Sequence, residues 1–327
     1  MDRIINQIIN QLLSSNNVLL ASHTNPDGDA VGSTIAMGLL LSATDKKITL
    51  YNESLIPAVY RFLPRVEMIG NNIDTANGFD TAIILDCSDL QRIGTAASMV
   101  NDIPAIINID HHISNSEFGN FQLIDTSASS TAEIIYRLIK KMGVAIDKPI
   151  ATSIYTGILT DTGSFRFSNT TQAAFAICQE MVENGVDPSD VARNVYGRYS
   201  LGRIKLLNLA LDSIEIFHNG KLSIMTITQE MLSKTGTRAE DIDGLINYAR
   251  RIEDVKIAAL IHEKQNGRHN LKGSGQFHVS LRSDGTVDVA AIAASFGGGG
   301  HTTAAGFEVQ SGLAEIKSDI ANLAQKN

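Results

Sequence analysis

Between Asn17 and about Leu159, short β-rich apolar runs alternate with longer stretches whose apolar residues recur at helical spacing. Four runs read as strands, "VLLASH", "KITLYN", "TAIILDCS" and "AIINIDHH", and each closes on polar residues. Segments such as "STAEIIYRLIKKMG" and "TQAAFAICQEMVENG" carry the pattern of amphipathic helices, with Gly143 and Gly185 where helix stops are expected. This alternation predicts an α/β domain on a mostly parallel sheet, the arrangement in which ligands collect at the carboxyl ends of the strands.

The pattern breaks at "NGVDPSD", and Val191 to Leu211 reads as charged amphipathic helix, a candidate connector. Beyond it come strand-like "KLSIMTIT", helical "AEDIDGLINYARRI", strands "VKIAALIHE" and "QFHVSLRS", and a final helix after Gly312. The expected organisation is a domain over residues 1–186, a helical connector over 187–212 and a smaller α/β domain over 213–327, with a cleft between the two domains. "KQNGRHNLKGSGQ", between two strands of the second domain, reads as a glycine-containing hairpin loop. No internal repeat is visible.

Composition narrows the class. The chain has 327 residues, 43% hydrophobic and 19% charged, long enough for two ordinary globular domains. No apolar run reaches the ~18–20 residues that cross a bilayer, and "MDRIINQIINQLLSSNN" is an amphipathic helix without the features of a secretory leader. No membrane association and a cytoplasmic location are therefore expected. Cys87 and Cys178 are too few for a disulfide framework or a cysteine-based zinc site. The net charge of 27 − 35 = −8 argues against coating long nucleic acid through a basic face.

Three of the four strand candidates end in potential metal ligands. The first leads into His23, Asp27 and Asp29, the third into Asp86, and the fourth into Asp110, His111 and His112. The apolar run "ATSIYTGILT" then delivers Asp161. Each has a plain alternative. Pro26-Asp27-Gly28 is a turn signal, Asp29 or Asp86 could cap a helix, and Asp161 could make a turn. Together they carry more weight, because a parallel sheet brings its carboxyl ends to one edge. Only eight histidines exist in the chain, and three lie in these two motifs. Mixed carboxylate and imidazole suit Mn²⁺, with Mg²⁺, Fe²⁺, Co²⁺ or Zn²⁺ as weaker fits. Four aspartates and two histidines exceed one ion's needs and match two ions that share a carboxylate.

These residues give the sequence a resemblance to the DHH phosphoesterases, named for the triplet that stands here as Asp110-His111-His112. The matching motifs are "SHTNPDGDAVGS", "LDCSD", "DHH" and "TDTGSFRFS", with "SLRS" and "GGGGH" in the second domain, so the resemblance spans nearly the whole chain. Within the family it is most similar to the compact bacterial oligoribonucleases of the nanoRNase type, which also act on adenosine 3′,5′-bisphosphate. The resemblance implies two Mn²⁺ per active site, with Mg²⁺ or Co²⁺ as substitutes. His23 and Asp27 would bind one ion, Asp29, His111 and Asp161 the other, and Asp86 would bridge them. Such ions stand about 3.5–4 Å apart and activate a water molecule as nucleophile. His112 would then stabilise phosphate charge or protonate the leaving oxygen, while Asp110 would orient a liganding histidine.

"AASFGGGGHTTAAGF" alone reads as a flexible linker. Its place beside helix-like "DVAAIAASF" suggests folded backbone whose amides approach an anion, especially at a helix start. The resemblance makes Gly298, Gly299, Gly300 and His301 a nucleotide clamp, with Arg282 and Ser280 of "SLRS" gripping a terminal phosphate or base. Similar proteins often carry lysine where His278 stands. Phe118 could stack on a base or simply pack. The implied substrates are short single-stranded RNA and a nucleotide bisphosphate, and a homodimer is one expected assembly. Cleavage of cyclic dinucleotides or their linear products, and a silent nucleotide-binding protein on the same scaffold, are the alternatives.

Overall fold

A computed structural model describes residues 2–74, 78–197, 199–264 and 275–324. Residues 265–274 of the expected hairpin loop lie outside the described residues. Contacts divide the chain into two units, Met1–Arg198 and Tyr199–Asn327.

In the first unit, α1 (Asp2–Ser14) buries Ile5, Ile8 and Leu12 along one face. There follow β1 (Asn17–Ser22), α2 (Gly28–Ser42), β2 (Lys47–Tyr51), β3 (Ile69–Gly70), β4 (Thr81–Leu85), α3 (Ala97–Asn101), β5 (Ala105–Asp110), β6 (Phe121–Ile124), α4 (Thr131–Met142), α5 (Lys148–Asp161), α6 (Gln172–Glu183) and α7 (Pro188–Tyr196). The strands form one six-stranded sheet in the order β3-β2-β1-β4-β5-β6, and every pairing is parallel. Its central strands are buried and mostly apolar because both faces are covered. Val18, Leu20, Ile83, Leu85, Ile107 and Ile109 join the main core with the helices, while Leu19, Ala21, Ala82, Ile84 and Ile106 face a second core around Ile93 and Val100.

Strand order reverses between β1 and β4, the place where an open parallel sheet leaves a crevice at its carboxyl edge. The edge is level: Ser22 pairs with Leu85 and Leu85 with Ile109. Helix α2 packs closely against α5 at the same end. A Cβ on Gly32 would stand 2.4 Å from the Ser153 carbonyl oxygen, so only glycine permits this approach.

The second unit comprises α8 (Leu201–Asp212), β7 (Glu215–Phe217), β8 (Leu222–Ile227), α9 (Gln229–Thr235), α10 (Ile246–Arg250), β9 (Ile257–Glu263), β10 (Gly275–Ser283), α11 (Val289–Ala294), β11 (Gly299–His301), β12 (Ala304–Ser311) and α12 (Leu313–Ala324). Its six-stranded sheet runs β11-β12-β10-β9-β8-β7, with β8–β9 parallel and the other pairs antiparallel. One face packs on α11 and α12 through Val279, Leu281, Ile292 and Ile316. The other packs on α8, α9 and α10 through Leu206, Met225, Leu232 and Ala249.

The stretch expected as a connector is two helices with different attachments. Val191 and Val195 of α7 enter the core of the first unit, and Leu206 and Ala210 of α8 enter the second. The run "AEDIDGLINYARRI" is not one helix, because Gly244 at φ +78° separates a short 3-10 turn from α10.

Candidate metal centre

The candidate ligands stand at the carboxyl edge of the parallel sheet. After β1 the chain passes His23 and enters α2 through Asp27, whose carboxylate caps the helix by accepting from the amides of Asp29 and Ala30, each at 3.0 Å. Asp29, considered as a cap from sequence, lies instead inside the first turn of α2. Asp86 follows β4 directly with φ +54°, a left-handed conformation that aspartate tolerates, while its amide still bonds to the Ile109 carbonyl at 3.0 Å. His111 and His112 follow β5, and Asp161 ends α5.

Three sets of ligand atoms converge, each within 4.8 Å: His23, Asp27 and Asp86; Asp29, His111 and Asp161; Asp86, His111 and His112. Asp86 faces both ways. Its Oδ2 lies 3.7 Å from His23 Nε2 and its Oδ1 lies 3.7 Å from His111 Nε2. His111 Nε2 is also 3.6 Å from Asp161 Oδ2. These gaps are too long for hydrogen bonds. They approach the roughly 3.0–3.5 Å between two donors that each stand ~2.1 Å from one ion.

Neighbours fix the donors. His23 bonds to the Thr24 carbonyl through Nδ1 at 2.9 Å, which turns Nε2 toward Asp86. Asn169 donates to Asp161 Oδ2 at 3.1 Å. The N-terminus of α4 faces Asp29, with the amides of Thr131 and Ala132 donating to its two oxygens at 2.6 and 2.9 Å. Asp110, fully buried, holds His112 Nδ1 at 2.7 Å and receives Asn115 Nδ2 at 2.6 Å. The residue Asp110 orients is thus His112.

The electrostatics call for cations. Burial pushes the Asp161 carboxyl up to about 8, reinforced by the facing Asp86 and Asp27. Burial, then Asp86, Asp161 and Asp27, raises Asp29 well above the usual range. Burial works against ionisation of Asp86 too, but the imidazoles of His23, His112 and His111 outweigh it and hold its pKa low. Burial opposes protonation of His112, yet its bond to Asp110 and the nearby Asp86 raise it to about 9. Among the described residues no lysine or arginine forms an ion pair with Asp27, Asp29, Asp86 or Asp161. The donor set and its charge fit divalent cations.

Sequence reading overlooked Thr131, Asn115 and Asn169. The signal for the first was present: Ser130-Thr131-Ala132-Glu133 is a helix-start signature, and such a start faces anions. Asn115 and Asn169 had no local signal.

In the second unit, Arg282 of β10, Ala304 of β12 and His301 of β11 lie in one cross-strand row. Ser280, Gly306 and Gly299 form a second row on the same face, so small residues separate the polar ones. Arg282 donates to the Leu281 carbonyl at 2.9 Å. The glycine run is folded backbone: a Cβ on Gly298 would meet the Gly306 carbonyl oxygen at 2.3 Å, and one on Gly300 the Ala304 carbonyl oxygen at 2.5 Å. It follows the end of α11 and does not open a helix, since the amides of Gly297 and Gly298 bond to Ala294 and Ala293 carbonyls at 3.0 Å. Phe118 in the first unit is half-buried and packs against the second core.

Carboxylates and imidazoles at the crevice of a parallel sheet define a protein built to hold divalent cations. Residues 17–158 match the N-terminal domain of the DHH family and residues 219–326 match the DHHA1 domain, so the chain belongs to the DHH family. It is 32% identical over 292 residues to the bifunctional oligoribonuclease and PAP phosphatase NrnA of Thermus thermophilus, covering 88% of this chain and 83% of that protein. The Bacillus subtilis protein of the same name is 25% identical over 308 residues, 93% of either chain. An exopolyphosphatase-related protein from Bacteroides fragilis superposes with a TM-score of 0.89 at 26% identity, covering 100% of this chain and 96% of that one.

Proposed function

We propose that the protein is a two-metal phosphoesterase that hydrolyses very short oligoribonucleotides to 5′-mononucleotides and removes the 3′-phosphate of adenosine 3′,5′-bisphosphate. The observation that carries this reading is the position of Asp86, with one carboxylate oxygen toward His23 and the other toward His111. His23 and Asp27 would hold one ion and Asp29, His111 and Asp161 the other, with Asp86 serving both. When bound, two Mn²⁺ ions supply an acidified water and offset charge on the phosphate oxygens. The protein itself aligns the ester. His112, positively charged at neutral pH and fixed through Nδ1 by Asp110, draws charge from the phosphoryl group and returns a proton to the leaving oxygen. In the second unit, Arg282, Ser280, His301 and the Gly299–Gly300 backbone are the proposed substrate contacts, the Gly298 amide being taken by the Ala293 carbonyl. The names of the Thermus and Bacillus relatives support both activities.

The test incubates the full chain and Mn²⁺ with a dinucleotide, a pentamer, a 24-mer, the bisphosphate, cyclic di-AMP and pyrophosphate. Dinucleotide and bisphosphate should turn over fastest. Preferred cleavage of cyclic di-AMP or pyrophosphate would overturn the substrate assignment, and inactivity on every compound would overturn the enzyme.

A further inference from the structure

Thr131 touches both halves of the metal centre. Its hydroxyl donates to Asp86 Oδ1 at 3.0 Å, and its amide donates to Asp29 Oδ2 at 2.6 Å. The residue is completely buried in the first turn of α4, behind the Ser130 cap. The imidazoles around Asp86 stand off at 3.7 Å, so the Thr131 hydroxyl is the close donor to this carboxylate.

The rotation of a carboxylate about its Cβ–Cγ bond is soft, with a broad two-fold preference. A bridge works only at one setting, with Oδ2 toward His23 and Oδ1 toward His111. A hydrogen bond to Oδ1 favours that setting. The amide of the same residue holds Asp29, a member of the other triad. Both contacts come from one rigid helix end.

We propose that Thr131 is a positioning residue that sets the rotation of the shared Asp86 carboxylate and thereby ties the two ion sites together; this rests on the two-ion reading above. The two contacts separate chemically. Removing the hydroxyl frees the shared Asp86 carboxylate and leaves the backbone amide on Asp29, so both ion sites lose a fixed donor, and the site at His23, Asp27 and Asp86, which has fewer other donors, weakens the more. Partners that orient metal ligands typically contribute about 10–100-fold in affinity.

The experiment titrates Mn²⁺ calorimetrically into metal-stripped full-length wild type, Thr131→Val, Thr131→Ala and Thr131→Ser, with dinucleotide kinetics beside it. Thr131→Val matches the shape without the hydroxyl, Thr131→Ala removes it without branched bulk, and Thr131→Ser keeps it. We expect at least one of two Mn²⁺ sites to weaken by about 10–100-fold in the valine and alanine forms. We expect kcat to fall with little change in KM, and serine to restore both. Wild-type affinities at both sites in whichever hydroxyl-free variant folds would overturn the proposal and leave the two-ion reading standing. Equal losses in the serine form would also overturn it, since packing would then explain them. A wild type that binds no pair of Mn²⁺ ions would remove the two-ion reading and this inference together.

Discussion

Asp110 grips His112 from a fully buried position, with Oδ1 2.7 Å from the ring Nδ1 and Oδ2 accepting from Asn115 at 2.6 Å. The arrangement fixes the tautomer and the ring plane, and it explains why His112 stays protonated up to about 9. Asp110→Asn removes the charge that favours the imidazolium. We expect kcat on a dinucleotide to drop by about 10²–10⁴-fold, the usual share of a proton-transferring group. Mn²⁺ binding should change only slightly. Steady-state kinetics with parallel metal titration checks this, and lost metal binding would place Asp110 among the ligands instead.

Asp86 is the joint between the two triads, so its removal should be felt by both. Asp86→Ala should lower bound Mn²⁺ below two per chain and cut turnover by at least roughly 10³-fold, the scale of losing a key transition-state contact. Metal analysis after dialysis and single-turnover hydrolysis measure the two effects. Surviving turnover would sink the shared-carboxylate arrangement.

Gly157 lies under Asp29. A Cβ there would stand 2.6 Å from the Ala132 side chain and 2.8 Å from Asp29 Oδ1. Gly157→Ala must therefore push the carboxylate or α4 aside. Overpacking of this kind costs about 1–3 kcal/mol, and here it should also weaken the ion at Asp29, His111 and Asp161. Gly143→Ala is the comparison: its Cβ would meet nothing, yet its φ of +69° makes alanine unfavourable. That variant should lose about 1 kcal/mol in denaturant melts with unchanged Mn²⁺ affinity.

The site also predicts how pH acts on the metal-free protein. Asp161 is raised to about 8 from its ordinary 3.8, so the folded state holds a proton that the unfolded chain releases. Its stabilising contribution is complete at low pH and is lost as pH climbs through about 8. His112, raised from 6.5 to about 9, acts in the same direction. Asp86, held low, contributes stability that disappears only in acid. The melting temperature of metal-free protein should therefore fall between about pH 6 and about pH 9. Mn²⁺ displaces the Asp161 proton, so the stabilisation it gives should grow as pH rises toward about 8. Calorimetric melts with and without Mn²⁺ would reveal the trend, and a flat or rising metal-free curve would contradict it.

The six candidate ligands were legible because each sits within a few residues of the end of a strand or helix, where periodicity already marks a boundary. Parallel topology accounts for the convergence of those that follow strands, whereas Asp161 is brought in by the packing of α5. Thr131 was not legible as a partner of Asp86, because 45 residues separate them and only the packing of α4 joins them. Strand β12 was missed for a different reason: it opens on Ala304-Ala305-Gly306, small residues with weak strand preference. Its pairing with β10 supplies the order that its own sequence lacks. The glycine run misled in one respect, since two of its amides serve the end of α11 and only the rest of it can face a ligand.

Substrate grip should depend on few ionic contacts. The chain carries a net charge of −8, and Arg282 makes no ion pair among the described residues, so one guanidinium is available for a terminal phosphate. Single-stranded binding that neutralises one or two phosphates gives a log–log salt slope of only about −0.7 to −1.4. KM for a dinucleotide should thus rise gently with salt, and rates should fall steeply from dimers to 30-mers because a net charge of −8 disfavours a long polyanion. Arg282→Ala should raise KM for dinucleotide and bisphosphate by about 10–100-fold, the range of a charge-assisted forked contact worth ~1.5–3 kcal/mol. Its kcat should hold nearly constant if, as proposed, the residue grips a part of the substrate that does not react. Equal rates on dimers and 30-mers, or a steep salt slope that Arg282→Ala leaves unchanged, would mean that a longer strand is held elsewhere on the protein.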